Sequence, residues 1–259
     1  MMNIKLNEIK KRKLEKIYIS MYIIKSLVPY MKDNVVEKRE LYVIYGVNIT
    51  GNRIIIDIVF NKPNDNRFWL EEFEDIKARN VENIIFLISV CDKNIARAIK
   101  IVYNETIVVD SAIDIINEFY KFVPIKRVSD IGETLKRLFF AEDINKYYIE
   151  LELIKEKYKD YKILLILLDR NLSSIKSYYK YCYDIRRLLL PYYSLRDMQN
   201  KIKVISNSTE YFTDIAEVIE LLLEYINAFE NGRSNNKKEW LKLLEIIYKD
   251  NKEKIERYI

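Results

Sequence analysis

Three features of this 259-residue sequence predict a mixed α/β fold that passes into a purely helical stretch. Runs rich in Ile, Val and Tyr recur before Pro124, bounded by turn or capping residues. Between the later runs, apolar residues recur every three or four positions, the spacing of a helix face. After Pro124 that helical spacing takes over almost entirely.

Taken in order, Ile17 to Val28 is β-branched and aromatic enough for a strand, and Glu40 to Ile49 for a second. Thr50-Gly51-Asn52 supplies a turn, from which Arg53 to Phe60 returns as a third strand. Asn61-Lys62-Pro63-Asn64 breaks the pattern. Asp65 or Asn66 can cap a helix running through Arg79, with Phe68, Trp69, Phe73 and Ile76 as its apolar stripe. Asn83 to Val90 is a fourth strand, Lys93 to Tyr103 a helix, and Thr106 to Val109 a short fifth strand. Ser111 can cap the helix that runs to about Val123. The order βββαβαβα is that of an RNase H-like core, in which the first and fourth strands lie side by side, and periodicity alone does not separate it from other α/β folds. Helical patterns then cover Ser129 to Tyr161, Lys162 to Tyr183, Tyr211 to Glu230 and Lys238 to Tyr258, where Trp240 anchors an amphipathic C-terminal helix. The expected division is residues 1–123 for the first part of the core, 124–183 for a helical insertion, 184–230 for the final core helices, and 231–259 for a linker and C-terminal helix.

Composition removes several chemistries. The chain has no histidine, which excludes Ser-His-Asp and Cys-His catalysis and His-ligated zinc. Its two cysteines, Cys91 and Cys182, form no C-x-x-C pair, so neither a zinc ribbon nor a disulfide framework is expected. The longest apolar runs fall far short of the ~20 residues of a membrane span. A cytoplasmic protein without membrane partners is expected. The net charge of +5 permits nucleic-acid binding without requiring it.

The stretch Asn83 to Lys100 holds the main candidate residue. An apolar run ends at Cys91-Asp92 and a helical pattern begins at Lys93, so a buried strand delivers one aspartate at its C-terminal tip. Either Asp92 has carboxylate partners, or it caps the helix that follows. Cys91 beside it reads as a small buried hydrophobe.

Tyr42 to Asp92 resembles the catalytic core of mutator-type insertion-sequence transposases, with Gly46-Val47-Asn48, Gly51, Phe68-Trp69-Leu70, Leu87 and Asp92 matching as they stand. A second block, Tyr183 to Ile205, resembles the last catalytic segment of that family through Ile185-Arg186-Arg187-Leu188 and the basic run Asn200 to Lys203. The resemblance covers roughly residues 12 to 245, and the family's N-terminal DNA-binding portion is expected to be missing. It implies DNA transposition by a DDE enzyme in which three carboxylates hold two Mg²⁺ ions. Carried over position by position, the second carboxylate is Asp92, but the first falls on Ser20 and the third on Arg196. The family's Cys-x-x-His falls on Asp110 and Ile113. One carboxylate of three cannot hold two Mg²⁺ ions, so Asp92 is expected to be a non-functional remnant and no cofactor is expected.

The resulting expectation is a truncated, degenerate transposase that is catalytically inactive and associated with DNA as a remnant or regulator. One alternative is an active strand-transfer enzyme with carboxylates relocated to Asp92, Asp110 and Asp197. Another is a helical module that forms homo-oligomers or pairs with intact transposases. Lys126, Arg127, Lys136, Arg137, Arg186, Arg187, Arg196, Lys201 and Lys203 are the candidate contacts to DNA phosphates.

Overall fold

The computed structural model describes residues 4–61, 66–190, 192–231 and 237–257. The chain divides into two compact units, one of Met1–Val108 with Tyr193–Ile259 and one of Val109–Tyr192. The Asn61 to Asn64 break lies mostly outside the described residues, as do the Asp65 cap and most of the Asn231 to Asn236 linker.

In the first unit, α1 (Ile4–Lys11) precedes a meander of β1 (Ile17–Lys32), β2 (Val35–Asn48) and β3 (Arg53–Asn61). Then come α2 (Asn66–Ala78), β4 (Asn83–Ser89), α3 (Lys93–Val102) and β5 (Ile107–Asp110), the last running across the division between the units. The five strands form one sheet in the order β3-β2-β1-β4-β5. β1 is antiparallel to β2 and parallel to β4, with Ile17 opposite Asn83 and Ile23 opposite Ser89. The expected elements are present, and α1 is an additional one.

β1 and β2 run further than the sequence suggests. Asp33 and Asn34 adopt φ of 49° and 62°, the geometry of a two-residue hairpin turn with both central residues left-handed. Pro29 is tolerated inside β1 because β4 stops opposite Ile23, so the strand is an edge beyond that point. Its carbonyl accepts the Phe212 amide, and the Phe212 carbonyl accepts the Met31 amide.

On one face of the sheet, Trp69, Phe73 and Ile76 of α2 and Ile95, Ala98 and Ile99 of α3 pack on Met21, Ile23, Tyr42, Ile44 and Ile84. The larger of these side chains each contribute roughly 1.5–3 kcal/mol by leaving water, and Ala98 contributes less. Elsewhere in the unit, Tyr22 stacks on Tyr45 at 4.5 Å, and Tyr45 meets Phe229 edge-on at 5.0 Å. Phe229 belongs to α10 (Ile215–Asn231), which follows α9 (Tyr192–Ser206). α11 (Lys237–Glu256) buries Trp240 and donates its indole N–H to the Ile49 carbonyl at 2.9 Å. That ring lies over the β2–β3 turn, where Gly51 has φ +83° and a Cβ would stand 2.8 Å from the indole.

The second unit holds α4 (Ala112–Tyr120), α5 (Val128–Phe139), α6 (Ile144–Lys157), α7 (Lys162–Ser177) and α8 (Tyr183–Leu189). Ser111 caps α4 as expected. The single span expected from Ser129 to Tyr161 is two helices, because Asp143 turns its carboxylate onto the amides of Asn145 and Lys146 and starts α6. No helix among the described residues is long and apolar enough to cross a membrane.

Candidate metal centre and nucleic-acid contacts

Ser20 lies inside β1, paired with Val47 and Phe86, and is fully buried. It follows an irregularity in the β1–β2 register between Tyr18 and Ser20. Its hydroxyl lies near Tyr22, whose own hydroxyl is pushed up by burial while Ser20 pulls it back. No charge stands at this point of the strand.

Asp92 stands just past the tip of β4 and is half-buried. Its carboxylate accepts the Asn94 amide at 2.8 Å and caps α3. The helix-cap reading of Asp92 is therefore what its contacts describe. Cys91 is exposed and not buried, because the strand ends at Ser89, two residues earlier.

A carboxylate that shares the neighbour Tyr42 with Asp92 was not singled out from the sequence. Glu40 of β2 forms an ion pair with Lys25 of β1 and accepts the Tyr42 hydroxyl at 2.9 Å. Burial pushes the Tyr42 hydroxyl up, with the charges of Glu40 and Asp92 adding to it. Lys25 pairs with Tyr42 across the ladder, so Glu40 lies two residues along the same face. That spacing was the available signal. Glu40 spends its charge on Lys25, which leaves it a poor ligand for a cation.

The remaining candidates divide between the units. Arg196 and Asp197 lie on α9 of the first unit, with Asp197 exposed. Only the backbone of Arg196 is described. Asp110 lies in the second unit, where its carboxylate accepts the Ser174 hydroxyl at 2.5 Å and its carbonyl accepts the Tyr178 hydroxyl. Ile113, the other position of the family's Cys-x-x-His, is buried on α4. Among the described residues no group of three or more acidic or cysteine side chains is placed to hold a metal ion. The donor set does not fit Mg²⁺, which requires several hard oxygen ligands: a neutral buried serine stands on β1 and the aspartate after β4 serves a helix.

The basic residues differ sharply in availability. Lys126, Arg187 and Lys203 are exposed. Lys201 is half-buried on α9. Arg127 lies 5.3 Å over the Tyr161 ring, Lys136 pairs with Glu133 at 2.5 Å, and Arg137 pairs with Glu150 at 3.2 Å. Arg186 departs from the expectation. It is 3% exposed, donates to the carbonyls of Ala141 at 2.8 Å and Glu142 at 2.5 Å, and stacks 4.3 Å over Tyr179. Its position on the inner face of α8, beside Ile185 and Leu189, directs it into the helical unit. Burial keeps its remaining N–H groups, Nε among them, away from a phosphate in solution.

Two insertion-sequence proteins are each 22% identical over 234 residues: the transposase of element ISRM3 from Rhizobium meliloti and a probable ISRM3-like transposase from Sinorhizobium fredii. Each match covers 89% of this chain, and the chain spans 58% of the length of each relative. A solved structure, the Drosophila P element transposase strand transfer complex, gives a TM-score of 0.32 at 10% identity. It covers 96% of this chain and 69% of that one, and a score so low carries no structural weight. The family model described as Transposase, Mutator family, matches residues 2–237. With nearly its whole length inside that match, the chain belongs to the Mutator family of transposases.

Proposed function

We propose that this chain is a degenerate Mutator-family transposase, catalytically inactive and associated with DNA as a remnant or regulator of transposition. Its first unit is an RNase H-like core. The strand order β3-β2-β1-β4-β5, with β1 antiparallel to β2 and parallel to β4, supports that assignment. The observation that carries the loss of activity is Ser20, a fully buried neutral residue where the family resemblance implies the first metal carboxylate. Two divalent cations facing the carboxylate of Asp92 alone would repel each other with too few oxygens to complete either shell. Exposed Lys126, Arg187 and Lys203 are the side chains most available to phosphates.

The test is a supercoiled-plasmid assay with Mg²⁺ or Mn²⁺, run beside retention on duplex DNA at rising salt. The expected result is salt-dependent retention without metal-dependent nicking. Nicking that is lost in Asp92→Ala would instead favour an active enzyme built on Asp92, Asp110 and Asp197. Co-purification with a full-length relative and no retention on DNA would favour an interaction module.

A further inference from the structure

A cavity of about 500 Å³ opens in the first unit at the opposite end of the sheet from Asp92, where β1 begins and the β2–β3 turn closes. Three cations, Arg12, Lys13 and Arg53, line it against two carboxylates, Glu15 and Glu230. Each carboxylate in its wall already gives one oxygen to a donor of the fold. Glu230 takes Arg12 at 3.0 Å and the Ile55 amide at 2.6 Å. Glu15 accepts the Asn48 side-chain amide at 2.6 Å, and the Asn48 oxygen accepts Thr50 and Asn52.

The donors are not engaged in the same way. Among the described residues Lys13 and Arg53 carry no ion pair, although Arg53 lies 5.0 Å over the Phe229 ring. Tyr18 is fully buried, lines the cavity, and finds no acceptor for its hydroxyl proton. The Glu15 backbone amide approaches its oxygen only. Burial pushes this hydroxyl up to about 12, so it keeps its proton at neutral pH. A buried hydroxyl with an unspent proton is costly unless something accepts it.

We propose that this cavity binds a phosphate monoester, with Lys13, Arg53 and Tyr18 donating to its oxygens. Three cations against two partly engaged carboxylates, with an unspent hydroxyl beside them, favour an anion, and a phosphate offers several acceptor oxygens to a guanidinium, an ammonium and a hydroxyl together. The volume is that of a site for a nucleotide-sized molecule and exceeds what a bare ion fills. A free nucleotide and the 5′-phosphorylated end of a DNA strand share this chemistry. The proposal is independent of DNA association through Lys126, Arg187 and Lys203, and nucleotide binding persists if plasmid retention fails.

The test uses the full chain in calorimetric titrations with adenosine 5′-monophosphate and with a short blunt duplex carrying or lacking its 5′-phosphates. Saturable binding is expected for the monophosphate or for the phosphorylated duplex over its unphosphorylated twin. The first outcome identifies a nucleotide site and the second a strand-end site. The Lys13→Ala/Arg53→Ala double variant should lose about tenfold or more in affinity, and Tyr18→Phe several-fold with its circular dichroism unchanged. Lys159→Ala, in the helical unit, should bind adenosine 5′-monophosphate as wild type does. The proposal is overturned if neither ligand saturates, or if folded Tyr18→Phe and the double variant both bind like wild type.

Discussion

Tyr18 lies across Gly46 of the neighbouring strand so closely that a Cβ on Gly46 would stand 2.3 Å from the Tyr18 ring. This gives physical content to the Gly46-Val47-Asn48 match. Gly46 leaves room for the ring, and Asn48 holds the turn by accepting the amides of Thr50 at 3.1 Å and Asn52 at 2.8 Å. Because the ring is fully buried, it cannot swing out to solvent. Gly46→Ala should therefore destabilise the chain by roughly 1–3 kcal/mol, the usual cost of overpacking. Urea denaturation measures it. A midpoint unchanged from wild type would show that the ring yields freely.

A second relationship makes stability depend on pH. Asp57 of β3, with its side chain 2% exposed, pairs with Arg79 at 3.3 Å and with Lys10 of α1 at 3.3 Å. Glu72 of α2 lies against it. Burial first, and then the charge of Asp57, push the Glu72 carboxyl up to about 8, against the pull of Lys10. In the unfolded chain it titrates near the ordinary glutamate value of about 4.3. Between those two values the native state binds the extra proton. Stability should thus be highest at the acid end of the interval and fall as pH rises to about 8, by at most about 1.4 kcal/mol per pH unit from this group. Glu72→Gln, which stays neutral, should flatten that slope. Parallel stability curves for the two proteins between pH 5 and pH 8 would contradict it.

Much of the first unit was legible because its signals are local. β3 and β4 combine β-branched runs with sharp boundaries, and Asp92 caps the helix that follows β4. What was hidden depends on partners distant in sequence. α1 is held to the unit by Lys10 and by the Ile9 carbonyl, which accepts Arg79 at 2.8 Å from 70 positions away. In the sequence Asp57 is one polar residue in an apolar strand, and only the fold brings it to Arg79 and Glu72. The far half of β1 was hidden by Pro29, which is harmless only because β4 has already ended.

Asp92 tests the difference between a cap and a ligand. If its work is to receive the Asn94 amide, Asp92→Ala should cost about 1 kcal/mol and Asp92→Asn much less, since asparagine caps nearly as well. Neither change should depend on Mg²⁺. Thermal unfolding with and without saturating Mg²⁺ compares them, since a cation bound only by the native state raises Tm. A metal-dependent rise in wild-type Tm that vanishes in Asp92→Asn would assign the carboxylate to a cation.

The Arg186-Arg187 pair separates structure from recognition within two adjacent residues. Arg186 is buried and holds the carbonyls of Ala141 and Glu142 between α5 and α6, whereas Arg187 is exposed on the other side of α8. Arg186→Met retains much of the side-chain volume but leaves those carbonyls without their donor, at a cost of roughly 2–3 kcal/mol. Arg187→Ala should change stability by no more than about 0.5 kcal/mol, as surface substitutions do. On duplex DNA the order should invert. Arg187→Ala should weaken retention and reduce its salt dependence, while folded Arg186→Met should elute with wild type. Equal loss of retention in both variants, measured below their unfolding transitions, would return Arg186 to the set of phosphate contacts.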